Sequence, residues 1–317
     1  MTIARHNSIA WWTAAALLLL PASAALAQER DAPDLLELAS RRAQEYSSAF
    51  RDLTAEETMT IRFLNERGSP QKTRKILSAL LIYNSSANPN AAAEYRDVES
   101  VDDQPVRERE HRAFELLQSV SNERSARKEL ERITKESSRH NLGVSMVNFT
   151  LNQGLPLRLS CRHLFQFGDL GKRQLGTSTL RAFDYRQTAP CPTFHYTLQL
   201  PPEFLGGARV HRGTIWLDND GRLVREERDV YVQSTLRPGM EAKIVHAVFQ
   251  YGPSPFGILV PVEITIEIWR IVIPNIYGTA VSARLDLRPY LSITQIYSGF
   301  SRFEVSVVQK VEAPKEK

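Results

Sequence analysis

Cysteine is scarce in this sequence: of 317 residues only Cys161 and Cys191 are cysteines. They form no CxxC pair, and Cys161-Arg162-His163 is too small a fragment to specify zinc. The histidines at 111, 140, 163, 195, 211 and 246 are scattered, with no HExxH or other metal-ligand spacing. A GxSxG nucleophile elbow and a GxxxxGK phosphate loop are both missing. No catalysis, metal or cofactor is expected from this inventory.

An excess of one charge is also missing. Lys and Arg number 40 against 36 Asp and Glu, and the two signs are interspersed, as in Arg107-Glu108-Arg109-Glu110. A nucleic-acid footprint needs clustered bases with interleaved aromatics, so a nucleic-acid partner is not expected despite a pI of 9.1. There is no internal repeat and no linker long enough to divide the chain. With 42% hydrophobic and 24% charged residues, the composition is that of a globular protein able to bury a core.

Long apolar runs are confined to the beginning. Arg5 precedes Ile9 to Leu20, then come Pro21 and the small-x-small site Ala25-Leu26-Ala27. This order is that of a secretory signal peptide, and the run is shorter than the roughly 20 residues that cross a bilayer. Cleavage after Ala27 leaves Gln28 first and lowers the net charge of +4 by one. No Cys follows the site, which excludes a lipoprotein signal. A periplasmic or secreted location is expected, with no transmembrane span in the mature chain. In such an oxidising compartment the two cysteines read as one disulfide, Cys161 with Cys191, contributing roughly 3.5 kcal/mol through loop closure.

What is present is mostly strand. Leu35, Leu38, Ala39, Ala43, Tyr46 and Phe50 first mark an amphipathic helix from Asp34 to Phe50. Ala55, Glu57, Met59, Ile61 and Phe63 then alternate with Glu56, Thr58, Thr60 and Arg62, the period of a strand with one wet face. Further strands are expected at Thr73 to Tyr83 and Tyr95 to Val101. From Val106 to His140 the pattern becomes two charged amphipathic helices. Strands return at His163 to Phe167, Thr179 to Tyr185, Thr193 to Leu200, Ala242 to Tyr251 and Leu259 to Trp269. Val281 to Leu287, Ser292 to Ile296 and Phe300 to Val308 complete the set, before a Lys/Glu/Pro tail that is expected to be disordered.

The clearest local signal is the hairpin Gly213 to Val232. Thr214 to Leu217 is an apolar run, Asp218-Asn219-Asp220-Gly221 reverses the chain, and Arg222-Leu223-Val224 begins the return. Asp218 and Asp220 lack the ligand-rich loop that calcium needs and read as turn formers. Glu263 and Glu267 share one strand face, where a solvated surface explains them as well as an acid/base pair does and requires less. Trp216 and Trp269 are large enough to line a groove, though core packing is the commoner role.

The segments Gly213 to Asp218, Gly221 to Arg225, Ile258 to Glu263 and Tyr297 to Phe303 resemble secreted bacterial proteins of unassigned function. Those proteins are similar in turn to the lipoprotein-carrier (LolA/LolB-like) superfamily. The resemblance implies an α+β fold: a strongly curved antiparallel β-sheet, an unclosed half-barrel, covered by an N-terminal helix and an inserted helical segment. The expected organisation is a signal peptide over 1–27, one LolA-like domain over 28–310 with the helical insertion at 106–140, and a tail over 311–317. This chain is longer than the carriers and lacks the lipidated Cys of LolB-like members.

The function expected is non-enzymatic: an envelope protein that binds a lipid, an acyl chain or another amphiphile in an apolar cavity. Its candidate lining is Met59, Ile61, Phe63, Ile215, Leu217, Val260, Val262, Ile264, Ile266 and Ile268. An acyl chain of ordinary length gains on the order of 10 kcal/mol gross from burial. The alternative is an envelope structural or protein-interaction module, with a protein partner, a filled core and no ligand.

Overall fold

The computed structural model describes residues 31–84, 92–106, 135, 138–142, 150, 154–191, 204–272 and 286–302. The chain enters through helix α1, Ala32–Ala49, with Asp31 extended at its N-cap and Pro33 in the first turn, where its missing N–H removes nothing. Four strands follow: β1 Leu53–Leu64, β2 Pro70–Asn84, β3 Ala92–Val101 and the short β4 Gln104–Pro105. The second series is β5 Phe165–Leu175, β6 Ser178–Gln187, β7 Arg209–Leu217, β8 Leu223–Gln233, β9 Glu241–Pro253, β10 Leu259–Val272 and β11 Asp286–Arg302.

All of these strands belong to one antiparallel sheet in the order β4-β3-β2-β1-β11-β10-β9-β8-β7-β6-β5. Each series is a simple meander, and the first strand of one meets the last strand of the other. β1 lies against β11 over ten paired positions, from Leu53 opposite Arg302 to Phe63 opposite Leu291. Among the described residues the sheet is open: β4 and β5 are its two ends and do not pair with each other. Among the described residues no helix is long and apolar enough to cross a membrane.

Period two decides which side is buried. In β1, Leu53, Ala55, Glu57, Met59 and Ile61 are buried while Thr54, Glu56, Thr58 and Thr60 reach solvent. Their partners repeat the rule: Ile76, Leu80 and Ile82 on β2, Leu291 and Ile293 on β11, Ile264 and Ile266 on β10, and Ala247 and Phe249 on β9 are all buried. A larger aliphatic cluster covers this centre. A smaller one joins Leu35, Leu36 and Ala39 of α1 to Ile215, Leu217, Phe183 and Tyr185 near the β5 end.

The structure departs from the sequence reading in several places. The strand ending at Phe167 instead starts at Phe165 and runs to Leu175, crossing Gly168 and Gly171 with a register shift between Asp169 and Gly171. Ser292 to Ile296 and the start of Phe300 to Val308 belong to one long strand, β11, whose polar residues hide its continuity. Trp216 and Trp269 are not core residues. Both are part-exposed on the solvent side, under Arg225 at 5.6 Å and Lys243 at 4.6 Å respectively. The expected strand at Thr193 to Leu200, most of that at Val281 to Leu287, the leader and the tail lie outside the described residues. So does the 106–140 segment, except Val106, Lys135 and Ser138 to His140, of which the last four are helical.

Cys161 and Cys191 form the expected disulfide across 30 residues of sequence. It ties the turn after Leu157 to the chain leaving β6, so that Leu157, four residues before Cys161, is held against α1. Replacing both cysteines by serine is expected to lower stability to urea by about 3.5 kcal/mol. A loss below about 1 kcal/mol in equilibrium melts would show that the link constrains little.

Candidate functional site

Helix α1 is seated by its smallest contacts. At Gly221 the turn between β7 and β8 has φ +72°, and a Cβ there would lie 2.8 Å from Leu38 Cγ and 3.0 Å from Ala39 N. Glycine is therefore required twice over, for the left-handed backbone and for the approach of the helix. Asp218 builds the turn: its Oδ1 accepts the backbone N–H of Asp220 and of Arg222, at 3.0 and 2.8 Å, and its Oδ2 takes Arg222 Nε. Asp218 and Asp220 are accordingly turn residues with an arginine partner.

Between this turn, α1 and the β9–β10 connection lies a cavity of about 180 Å³. Its apolar wall comes from Ala39, Ala43, Leu157, Leu223, Ile258 and Leu259, with the rings of Tyr46 and Tyr251. Arg42, Glu45, Asp220 and Arg222 stand at its rim. Arg42 pairs with Glu45 at 2.7 Å and Arg222 with Asp218 and Asp220, so the rim cations already have anionic partners. Leu223 touches both aliphatic clusters, which places the cavity at the seam between them.

The buried face beside this cavity is not purely aliphatic. Glu226 and Arg228 on β8 are both buried, and Arg228 Nε and Nη2 donate to Glu226 Oε1 at 2.8 and 2.6 Å. The Tyr185 hydroxyl donates to the same oxygen at 3.1 Å, and the Gly154 N–H donates to Oε2 at 2.9 Å. Tyr185 reaches Glu226 across Gly213, where a Cβ would come within 2.8 Å of the phenol oxygen. The Arg228 guanidinium also lies over Phe249 at 4.9 Å.

A second network lies in the first meander. Glu57 of β1 accepts Arg96 Nε at 2.6 Å and Nη2 at 3.1 Å, and Gln295 Nε2 of β11 at 2.9 Å. Arg96 also reaches Glu94 at 3.1 Å, and Thr150 donates to Glu94. Burial works to lower the Arg96 pKa, but Glu57 and Glu94 outweigh it and hold the guanidinium charged. Such a pair is desolvated at a cost of several kcal/mol per ion, offset by the two Arg96–Glu57 contacts and by the bonds from Gln295 and Thr150.

Tyrosines link the two networks. Burial raises the pKa of Tyr46, Tyr185, Tyr251 and Tyr297 well above the ordinary phenol value, so all four remain protonated donors. Tyr46 of α1 feels both Arg158 and Glu94, placing the helix over the seam. The Tyr251 hydroxyl, next to Glu226 and Arg228, has no hydrogen-bond partner among the described residues. His211 is pushed down to about 3, chiefly by burial and then by Arg228 and Arg209.

Eight of the ten residues expected to line a cavity are buried: Met59, Ile61, Ile215, Leu217, Val260, Ile264, Ile266 and Ile268. Phe63 and Val262 are part-exposed. Val262 lies at the register shift between Pro261 and Glu263, opposite no residue of β9, and packs over Gly252. None of the ten is on the wall of the α1 cavity. Glu263 and Glu267 are part-exposed and face Gln250 and His246 across the ladder. Among the described residues no group of three or more His, Cys, Asp or Glu is placed to hold a metal ion. The networks were missed by sequence reasoning. Their signal is Glu-x-Arg on a strand, at Glu94-Tyr95-Arg96 and Glu226-Glu227-Arg228, which puts opposite charges side by side on one face.

No protein-family model matches the chain, and no curated protein matches it. Solved structures do. A DUF1329 family protein from Desulfovibrio piger is similar with a TM-score of 0.38 and 11% identity, covering 86% of this chain and 93% of that one. A domain described as an outer membrane lipoprotein-sorting protein, from Vibrio parahaemolyticus, gives 0.34 and 12% over 86% and 93%. A LolA superfamily protein from Nitrosomonas europaea gives 0.31 and 7% over 84% and 94%.

Two predictions follow from the buried charges. Arg96→Met leaves Glu57 and Glu94 buried without their cation and is expected to cost about 3–5 kcal/mol in urea melts, whereas exposed Arg222→Met costs under about 1. Equal effects would contradict the assignment. His211 titrates at 6.5 when unfolded and about 3 when folded, so the unfolded chain binds the extra proton between those values. Its contribution is complete above pH 6.5 and is lost toward pH 3, with a slope of up to about 1.4 kcal/mol per pH unit. His211→Gln is therefore expected to lose less stability than the parent between pH 6.5 and about 4.5; parallel curves would refute the shift.

Proposed function

We propose that the protein binds a small amphiphile in the cavity beneath α1, without catalysis. The observation that carries this reading is the cavity itself: a largely apolar wall with charged side chains among its lining, beside one helix. A volume of about 180 Å³ compares with about 150 Å³ for an engineered apolar cavity that stays dry and accepts benzene. It is smaller than the roughly 300–1,000 Å³ of pockets for drug-sized ligands. The ligand class is therefore amphiphiles with a single ring or about six carbons, rather than the long acyl chain expected from sequence. The aliphatic strand residues Met59, Ile61, Ile215, Leu217, Val260, Ile264, Ile266 and Ile268 are packed in the two core clusters and do not line this site.

In this reading the sheet is a half-barrel of a single domain over 28–310, delivered by the signal peptide 1–27 to the periplasm or beyond. The disulfide supports an oxidising compartment. The cavity favours binding over a filled interaction module, whose core would hold only scattered packing voids.

Titration calorimetry with 1-hexanol is the test. The parent protein is expected to bind it saturably at one site, and Ala43→Phe, which fills the space from the helix side, is expected to weaken binding at least about tenfold with the fold retained by circular dichroism. No saturable binding by the parent, or equal binding by the folded variant, would sink the proposal.

A further inference from the structure

We infer that the ligand of the α1 cavity is a free α-amino acid with an apolar side chain, whose ammonium and carboxylate meet the charged rim while the side chain enters the apolar space. This rests on the binding function proposed above and names the ligand class of that same site. Four charged side chains line the cavity: Arg42 and Glu45 come from α1, Asp220 and Arg222 from the β7–β8 turn. Each element therefore brings one cation and one anion to the rim. Arg42 Nη1 lies 2.7 Å from Glu45 Oε2, and Arg222 Nη2 lies 3.4 Å from Asp220 Oδ2. All four side chains are 44–64% exposed, and ion pairs in that setting contribute little and open readily. Arg222 keeps its place when its contact with Asp220 opens, because Asp218 accepts both its backbone N–H and its Nε.

That balance of signs selects the head group. An anion that took Arg42 or Arg222 would displace Glu45 or Asp220 and leave the displaced carboxylate beside it. A cation would leave an arginine in the same position. A head that carries both charges exchanges partners instead: its carboxylate takes the arginine, its ammonium takes the displaced acid, and neither sign is left unanswered. A neutral head leaves the pairs as they are and gains nothing from them. In an α-amino acid one carbon bears the ammonium, the carboxylate and the side chain, so a head held at the rim sends its side chain inward. The space of about 180 Å³, with Ala39, Ala43 and Gly257 in its lining, takes a branched aliphatic group or one ring. Zwitterionic lipids share the head chemistry but bring more acyl chain than that space holds.

Three probes that share a ring and a chain length separate these heads. L-Phenylalanine carries both charges, 3-phenylpropionate only the anion and 2-phenylethylamine only the cation. Titration calorimetry of the full chain is expected to show L-phenylalanine binding about tenfold tighter than either of the others. The double variant Glu45→Gln, Asp220→Asn is expected to lose the advantage of L-phenylalanine over 3-phenylpropionate. It is expected to bind 1-hexanol like the parent, which shows that the fold and the cavity persist. Equal binding of the three probes, tightest binding of a singly charged one, or an undiminished advantage in the double variant overturns the inference. Tighter binding of dihexanoyl phosphatidylethanolamine than of L-phenylalanine overturns it in favour of a lipid head group. If none of the three binds while 1-hexanol does, the inference fails and the cavity function stands. If 1-hexanol does not bind, the proposed function itself fails.

Discussion

Everything in this molecule depends on the pairing of β1 with β11. Each meander of the sheet is local, but their union joins residues more than two hundred positions apart, such as Glu57 and Gln295. Glu57 sits at this union with Ser78 of β2 opposite on one side and Tyr297 of β11 on the other. Its carboxylate takes Arg96 from β3, beyond β2, and Gln295 from β11. One buried side chain therefore connects β3, β1 and β11 across the buried face. A non-directional aliphatic core tolerates slippage of a strand by two residues; a bidentate ion pair with a third partner does not. This is how the register of the long-range pair is specified.

The second network does for α1 what the first does for the sheet. Glu226 gathers Arg228 from its own strand, Tyr185 from β6 across Gly213, and the backbone of Gly154. Gly154 leads into the Leu155–Leu157 turn, whose three residues are buried beside α1. The helix is then fixed on three sides, by this turn, by Gly221 and by its Glu37 pairing with Arg162. Small residues, Ala39 and Ala43, face the space that remains. The helix packs Leu35, Leu36 and Ala39 into the smaller cluster, and the cavity lies beside that contact, where its side chains are short.

Much of the architecture was legible. Alternation in β1 and β10, the helix before them and the Asp-Asn-Asp-Gly turn all follow from local chemistry that the fold keeps. Glu57 already stood among Ala55, Met59 and Ile61 on the inward side. What local reading did not reach was the α1 cavity. Buried aliphatic residues look alike whether they pack against side chains or line a void, so Ile264 and Ile266 gave no means of telling core from cavity. The wall of the α1 cavity comes from helix, turn and loop, elements brought together only by the fold. In β8 the run Arg225 to Asp229 is charged throughout, and only its alternate members Glu226 and Arg228 face inward. Periodicity cannot divide five charges into two faces. The long β11 was fragmented for a related reason, since Gln295 is buried by its partner Glu57 rather than by its own polarity.

The central claim is that an empty apolar space lies between α1 and the β7–β8 turn. Crystals of the protein under xenon pressure test it directly, because xenon enters dry apolar cavities without needing any polar partner. The account predicts a xenon site in contact with Leu157, Leu223 and Leu259, beneath Ala43. A structure with side chains filling that space, or with xenon bound elsewhere and absent there, would contradict it.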